Sequence, residues 1–267
     1  MIRDITIGQY YPSNSILHKL DPRVKLVGTL LYIILLFFIK NYYGYVLAAV
    51  FLGTIITLSK VPIKFILKGL KAVIFLLLFM VAFNLFFTPG TRVAFSIGFI
   101  RVTWEGIESA ILMGLRLIFL ILGSSIMTFT TTPNQLTDGL EKLMGPLKKI
   151  KVPVHEISMM MSIALRFIPI LMEETDKIMK AQMARGADFE SGGLIKRAKN
   201  IIPLLVPLFV SAFRRANDLA MAMEARCYRG GVGRTKMKPL KYTGKDRMVY
   251  LILLLYVAAI IAINKYL

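Results

Sequence analysis

The sequence predicts an all-α, multi-pass membrane protein with about five transmembrane helices and a cytoplasmic-side helical module that contains two long helices. The first observation is composition: 56% of the 267 residues are hydrophobic and the mean hydropathy is +0.65, which is unusually apolar for a soluble domain. The second is a formal net charge of +19, concentrated in segments that lie between long apolar runs. One cysteine and two histidines exclude an internal disulfide framework and a histidine-rich metal site, so no metal site is expected.

Five apolar runs approach the roughly 20 residues that a membrane-spanning helix needs. They cover about 24–40, 42–59, 70–87, 104–128 and 248–264. Only Lys40 and Asn41 separate the first two runs, so a single fused helix is the alternative there. Between the third and fourth runs, "TPGTRVAFSIGFIRVT" predicts a small hairpin or loop outside the bilayer.

The lysines and arginines favour five spans over four. They cluster in residues 1–25, in 59–71 and above all in 131–247, which holds 21 of the 34 basic residues. Five spans put all three clusters on one side, whereas a fused first helix would put the N-terminal cluster on the other. The positive-inside rule then predicts a cytoplasmic N-terminus, cytoplasmic 131–247 and an outside C-terminus. The predicted regions are 1–130 with four transmembrane helices, 131–247 with the cytoplasmic-side helices, and 248–267 with the last span.

The basic segment 131–247 predicts one short and two long helices. Thr132-Pro133 is typical of a helix start, which gives a short helix near 133–144. The long helices are expected at about 154–186 and 201–229, each apolar at first and charged later. Because their apolar runs are short for a span, we expect both helices to lie at or beneath the cytoplasmic face. Two additional spans are the alternative.

The two long helices end in the same pattern, an arginine between an alanine and a small residue. The first end is Ala184-Arg185-Gly186 and the second is Ala225-Arg226-Cys227, with the arginines 41 positions apart. A cation at a helix C-terminus gains about 0.3–1 kcal/mol from the helix dipole, which explains either arginine but not the repetition. The repetition favours docking, because small neighbours leave each planar guanidinium free to bind carboxylates or carbonyls of a partner.

Arg116 lies inside the fourth predicted span, where an ionisable side chain is a functional candidate. A structural role, with Glu105, Glu108 or a backbone carbonyl as partner, is favoured because no second buried charge in the other spans suggests a relay. The methionines of 159–161 and 221–223 fit ordinary packing or an adaptable surface for changing partners. The sequence contains no nucleophile elbow, phosphate loop or metal-spaced ligand set, so no catalytic residues are expected.

Several motifs together resemble the transmembrane coupling component of energy-coupling factor transporters, a class of prokaryotic ABC importers. "HKLDPRVKL" at 18–26 is similar to the family's N-terminal signature, and "LRFIPILMEE" at 165–174 is similar to the start of its first long coupling helix. The two arginine patterns match the family's paired Ala-Arg-small motifs, with a cysteine as the small residue of the second. The signature residues are Asp21, Pro22, Arg23, Lys25, Arg166, Pro169, Glu173 and Glu174.

The resemblance implies a non-catalytic scaffold in a prokaryotic cell membrane. Two cytoplasmic ABC ATPase subunits would receive Arg185 and Arg226, one each, and a membrane-embedded substrate-binding component would pack on the long helices. ATP hydrolysis would drive uptake of a vitamin or a transition metal ion, with ATP and magnesium held by the ATPases and no cofactor bound by this chain.

Two other functions are weighed against this scaffold. A self-contained secondary transporter is disfavoured because the spans other than the fourth are nearly free of charge. A membrane-anchored nucleic-acid binder is disfavoured because the basic residues of 131–247 are interspersed with acidic ones on helices that have apolar faces. We therefore expect the lipid bilayer and protein subunits as partners, and no nucleic acid.

Overall fold

A computed structural model describes residues 10–89, 92–97, 100–187, 189, 193–231, 233 and 235–266. Arg3, one of the N-terminal basic residues, lies outside the described residues. The described helices are α1 (Ile16–Lys19), α2 (Pro22–Phe38), α3 (Tyr42–Ser59), α4 (Ile63–Phe87), α5 (Trp104–Thr130), α6 (Pro133–Leu143), α7 (Val154–Ala184), α8 (Leu194–Ala225) and α9 (Gly244–Tyr266). A 3₁₀ helix covers Gly145–Ile150. The predicted all-α class is confirmed.

The single sheet among the described residues is a two-stranded antiparallel hairpin between α4 and α5. Its strands are β1 (Val93–Ile97) and β2 (Ile100–Thr103), with Ile97 paired to Ile100 and Val93 to Thr103. The hairpin expected from the short alternating apolar runs is therefore present. Thr103 then begins α5, because its hydroxyl oxygen accepts the N–H of Gly106 at 3.1 Å.

Helices α1 to α6 and α9 form one compact unit, built from residues 10–143 and 240–266, which we call the membrane unit. Its core lies where α2, α3, α5 and α9 meet and is mainly aliphatic and aromatic: Tyr32, Leu35, Leu36, Ile39, Tyr45, Ala48, Leu52, Ile126, Tyr256 and Ile260. Large apolar side chains also point outward, as in Phe75, which is 81% exposed. An apolar exterior around an apolar core is what a bilayer environment allows.

Helices α2 and α3 are separate, which excludes the fused first helix. The chain is extended at Ile39, and Asn41 precedes α3 in an extended conformation. The end of α3 lies beside α1, which directly precedes α2, so α2 and α3 run in opposite directions.

Four described helices are long and apolar enough to cross a membrane, namely α3, α5, α7 and α9. A fifth results if the halves of α4, Ile63–Lys71 and Val73–Phe87, form one span despite the 61° angle between them. At 17 residues α2 is about 26 Å long, slightly short of the roughly 30 Å hydrocarbon core. By length and composition α7 thus joins the candidate spans, while its predicted position at the cytoplasmic face stays a prediction.

Residues 144–239 form the second compact unit, in which α7 packs against α8. Helix α8 begins at Leu194, so the prediction of a start near 201 was wrong. The polar, glycine-containing stretch 187–200 favours a connection between the helices, whereas its residues from Leu194 onward belong to α8, which also contains Pro203 and Pro207. The polar residues before them are good helix formers, and Gly193 takes the N-cap position.

Candidate functional site

The C-terminus of α7 places Arg185 at the last position before the chain turns away. The N–H of Gly186 donates to the carbonyl of Met183 at 3.0 Å, and the N–H of Ala187 donates to the carbonyl of Gln182 at 3.0 Å. Gly186 has a φ of +88°. This pair of hydrogen bonds around a left-handed residue is a Schellman motif, with Arg185 as the C-cap.

Helix α8 ends in the same motif, with Arg226 as the C-cap. The N–H of Cys227 donates to the carbonyl of Glu224 at 2.8 Å, and the N–H of Tyr228 donates to the carbonyl of Met223 at 3.0 Å. Cys227 takes the left-handed conformation, with a φ of +51°. The small residue of the repeated pattern is thus the residue that must adopt a positive φ, where large side chains are strained.

Both arginines project from their helix ends into open space. Arg185, Arg226 and the alanine before each are exposed. Within the described part of the chain, neither guanidinium forms an ion pair or a side-chain hydrogen bond. Five unused donors on each arginine are therefore available to carboxylates or carbonyls of another molecule.

One ion pair ties α7 to α8. The Arg215 guanidinium donates to Glu174 Oε2 at 2.9 Å, with side chains 38% and 28% exposed. At this exposure the pair stabilises the contact by less than about 1 kcal/mol, so its main role is registration of the two helices. Arg185 and Arg226 each lie 11 residues beyond their helix's member of the pair, or about 16 Å along the axis.

Because of where the ion pair lies along each helix, the C-terminal ends of α7 and α8, which carry Arg185 and Arg226 and are called the arginine ends, point away from each other. Glu174 lies about 15 Å before the end of α7, and Arg215 lies about 32 Å after the start of α8. Residues 185–193 connect the end of α7 to the start of α8 and can span at most about 35 Å. If both helices ran in the same direction past the ion pair, this connection would have to cover the sum of the two distances, which exceeds its reach. The helices therefore point apart, and the two arginines are separated by on the order of 20–30 Å.

The remaining signature residues of α7 lie on its exposed part. Arg166, Pro169 and Glu173 are exposed, and Pro169 sits within the helix, where it lacks the N–H that would bond one turn back. Exposed methionines occur on both long helices, Met160 and Met161 on α7 and Met221 on α8. Three alanines of α8 are also exposed, and small residues of this kind let another helix approach closely: Ala216, Ala220 and Ala222.

The N-terminal signature builds a polar clasp at the start of α2. Asp21 caps the helix by accepting the Arg23 N–H at 2.9 Å, and Pro22 follows at the first helical position. The Asp21 carboxylate also accepts two hydrogen bonds from the Arg23 guanidinium, at 3.0 and 2.7 Å. The guanidinium stacks over the Tyr242 ring at 3.8 Å. The Asp21 N–H in turn donates to Asp246 at 2.9 Å.

Lys25 connects the clasp, which already joins the starts of α2 and α9, to the C-terminal end of α5. Its buried ammonium donates to the carbonyl of Thr130 at 2.8 Å, at the C-terminus of α5, where a cation is favoured. Together with Asp246 on α9, this contact brings the starts of α2 and α9 and the end of α5 to one end of the membrane unit. A path of five alternating spans requires these three ends to share a side.

Arg116 makes structural contacts within the membrane unit. Its guanidinium donates to the carbonyl of Ile39 at 3.1 Å, at the end of α2, and to the hydroxyl of Tyr45 at 3.1 Å. Of the partners considered from the sequence, the structure therefore shows a backbone carbonyl. The tyrosine partner was not foreseen.

Sequence reasoning missed Asp246, Tyr242 and Arg215. A signal for Asp246 was present, because Thr243-x-x-Asp246 has the spacing of a capping box. The N–H and hydroxyl of Thr243 both donate to the Asp246 carboxylate, at 2.7 and 2.6 Å. Nothing local indicates the other two, because their contacts depend on how distant elements meet. Among the described residues, no group of three or more potential metal ligands comes together.

A family model described as "cobalt transport protein" (CbiQ) matches residues 13–238. The chain belongs to this family. Several curated relatives named "energy-coupling factor transporter transmembrane protein" align with nearly the whole chain. The one from Ruminiclostridium cellulolyticum is 57% identical and covers 93% of both chains. The Bacillus subtilis relative is 50% identical over 97% of both, and the Lactococcus lactis relative is 44% identical over 99% of both.

Membership of the CbiQ family confirms the resemblance found in the sequence and identifies the role at a coarse level. The chain is a membrane-embedded transport protein of the kind that serves as transmembrane component in energy-coupling factor transporters. The match includes Asp21, Arg23, Lys25 and both arginine ends, whereas Tyr242 and Asp246 of the clasp lie beyond its last residue, 238.

Proposed function

We propose that this protein couples two cytoplasmic ABC ATPase subunits to a separate membrane-embedded substrate-binding component. Arg185 and Arg226 each dock into one ATPase subunit. ATP hydrolysis by those subunits moves α7 and α8, and the movement is passed to the substrate-binding component. The chain itself hydrolyses no ATP, because ATP and magnesium are bound by its partners.

The observation that carries the proposal is the duplicated helix end. The two ends share hydrogen bonds, backbone conformation and arginine position, and both guanidinium groups are exposed without a partner in the described chain. A separation of roughly 20–30 Å is too large for one groove and suits two separate subunits. Equivalent features at separate places fit two copies, or two homologues, of one kind of partner.

The distribution of basic residues supports the orientation. Residues 131–247 carry most of the positive charge, so the positive-inside rule places the arginine ends and the N-terminus in the cytoplasm and the C-terminus outside. The exposed methionines and alanines of α7 and α8 supply an adaptable, close-packing surface for the substrate-binding component. The cargo, a vitamin or a transition metal ion, is recognised by that component and not by this chain.

A paired substitution tests the docking role. The double variant Arg185→Ala, Arg226→Ala should insert normally but lose ATP-dependent uptake and co-purification of the ATPase subunits, because each lost charged contact costs about 2–5 kcal/mol. The matched control is Lys180→Ala, Arg229→Ala, which removes the same charge from exposed positions near the same two helix ends. Normal uptake and normal ATPase retention in the arginine double variant would refute the proposal.

A further inference from the structure

A basic crevice lies at the clasp end of the membrane unit. It encloses about 240 Å³ between α1, the end of α3 and the start of α9. Three lysines line it, Lys19, Lys60 and Lys245, and none of the described residues that line it is a carboxylate. All three are exposed, and none has an ion-pair partner in the described chain. The crevice therefore concentrates positive charge that this part of the chain leaves uncompensated.

An apolar cavity adjoins the crevice and is larger, at about 520 Å³. The two share Leu58, and α1 contributes to both, with Ile16 in the crevice and Leu17 in the cavity. The cavity runs between α2, α3, α5 and α9. Its volume falls within the roughly 300–1,000 Å³ typical of ligand pockets.

The cavity has the length and direction of one lipid leaflet. On α3 its wall extends from Leu58 to Leu47, about 16 Å, and on α9 from Val249 to Ala259, about 15 Å. Half of a roughly 30 Å hydrocarbon core is about 15 Å. The cavity therefore starts beside the lysines at the helix ends and reaches about as far as the bilayer midplane.

The walls of the cavity are mainly apolar and open sideways. The charged side chain that lines it, Lys25, donates to the carbonyl of Thr130 at 2.8 Å. The Thr54 hydroxyl, one of its few polar groups, donates to the carbonyl of Val50 in its own helix at 2.8 Å. Val50 and Leu255 line the cavity and are 62% and 58% exposed, so an acyl chain can enter from the surrounding lipid.

We propose that these adjoining cavities form a binding site for an anionic phospholipid. The lipid phosphate lies among Lys19, Lys60 and Lys245, and one acyl chain fills the apolar cavity. A zwitterionic lipid carries no net charge to match three lysines, and a free phosphate would use the crevice alone. An anionic phospholipid matches both halves and their order along the membrane normal.

Lipid titration of the full-length chain in mild detergent tests the site. Binding of phosphatidylglycerol and of phosphatidylcholine is measured by native mass spectrometry and by the shift in Tm. Each lysine near a lipid headgroup contributes about a fivefold gain in affinity, so Lys19→Gln, Lys60→Gln, Lys245→Gln should weaken phosphatidylglycerol binding on the order of a hundredfold.

The matched control is Lys148→Gln, Lys149→Gln, Lys151→Gln, at and directly after the 3₁₀ helix. It removes the same charge from exposed lysines, and Lys151 has a positive φ like Lys60. A second variant, Val50→Trp, keeps all three lysines and fills the side opening of the cavity. The control should bind as the unaltered chain does, and Val50→Trp should weaken phosphatidylglycerol binding at least tenfold.

Three results would overturn the proposal. The first is equal binding of phosphatidylcholine and phosphatidylglycerol by the unaltered chain, which needs no variant to fold. The second is unchanged phosphatidylglycerol affinity in the triple lysine variant. The third is full competition by inorganic phosphate together with no effect of Val50→Trp, which would identify an ion site instead of a lipid site.

Discussion

Replacement of Gly186 by alanine tests whether the C-terminal end of α7 requires a residue that readily adopts a positive φ. Gly186 has a φ of +88°, and a Cβ added there would meet no atom within 4 Å. Steric collision therefore does not contribute, and the cost of Gly186→Ala is conformational. A left-handed conformation costs an L-residue about 1–2 kcal/mol, so the Schellman hydrogen bonds should weaken by that amount.

Amide hydrogen exchange measures this cost locally. A loss of about 1–2 kcal/mol raises the open fraction roughly 5- to 30-fold, and the amides of residues 186 and 187 should exchange faster by that factor. Cys227→Gly should produce the opposite effect at Tyr228, because glycine relieves the strain of a φ of +51°.

Gly145→Ala is the matched control, because Gly145 lies in the same compact unit, has equally open space and lacks a positive φ. It should leave exchange at the end of α7 unchanged. If Gly186→Ala also leaves residues 186 and 187 unchanged, the small residue of the motif is not needed for its backbone conformation and the reasoning is wrong.

Three further substitutions test contacts within the described chain, each followed by thermal unfolding in detergent. Asp246→Ala should destabilise the membrane unit by about 2–4 kcal/mol, because it removes a helix cap and leaves the buried Asp21 N–H without its acceptor. Arg116→Leu should cost about 1–3 kcal/mol, because the buried Ile39 carbonyl loses its donor. Glu174→Gln should cost less than about 1 kcal/mol, because its ion pair with α8 is exposed.

Conservative variants serve as controls for the first two. Arg116→Lys keeps a cationic donor and should recover part of the lost stability, while Asp246→Asn keeps one acceptor and should fall between the original residue and alanine. A stability unchanged by Asp246→Ala would contradict the clasp, and a loss of several kcal/mol from Glu174→Gln would contradict the assigned solvent exposure.

Hydropathy and charge predicted much of the architecture. The apolar runs located α2, α3, α5 and α9, and turn residues located the hairpin and the short α6. Helix starts were less accurate, because charged residues near the start of a helix interrupt the apolar run. The hydropathy pattern predicts α9 from about 248, whereas it begins at Gly244, and α4 from about 70, whereas it begins at Ile63. Capping at Thr243 and Asp246 would have corrected the first.

The sequence predicted where the candidate site lies, but not the backbone conformation of its small residues or the contact between its two helices. The sequence indicates that Arg185 and Arg226 end two long helices, and it suggests that small neighbours give the guanidinium groups room. The structure adds that Gly186 and Cys227 are small because each takes a positive φ. The pairing of Glu174 with an arginine 41 residues away follows from the packing of two helices, which no local pattern encodes.

The central claim is that the two helix ends dock two separate ATPase subunits, and site-specific photo-crosslinking tests it most directly. A photoreactive residue is placed at Lys180 or at Arg229, exposed positions five residues before Arg185 and three residues after Arg226, with Met237, 99% exposed, as the control position. The account predicts that both positions crosslink to an ATPase subunit in the assembled transporter, that both can do so in one complex, and that Met237 does not. Crosslinks from both positions to the membrane-embedded component alone, or to a single shared ATPase subunit, would contradict it.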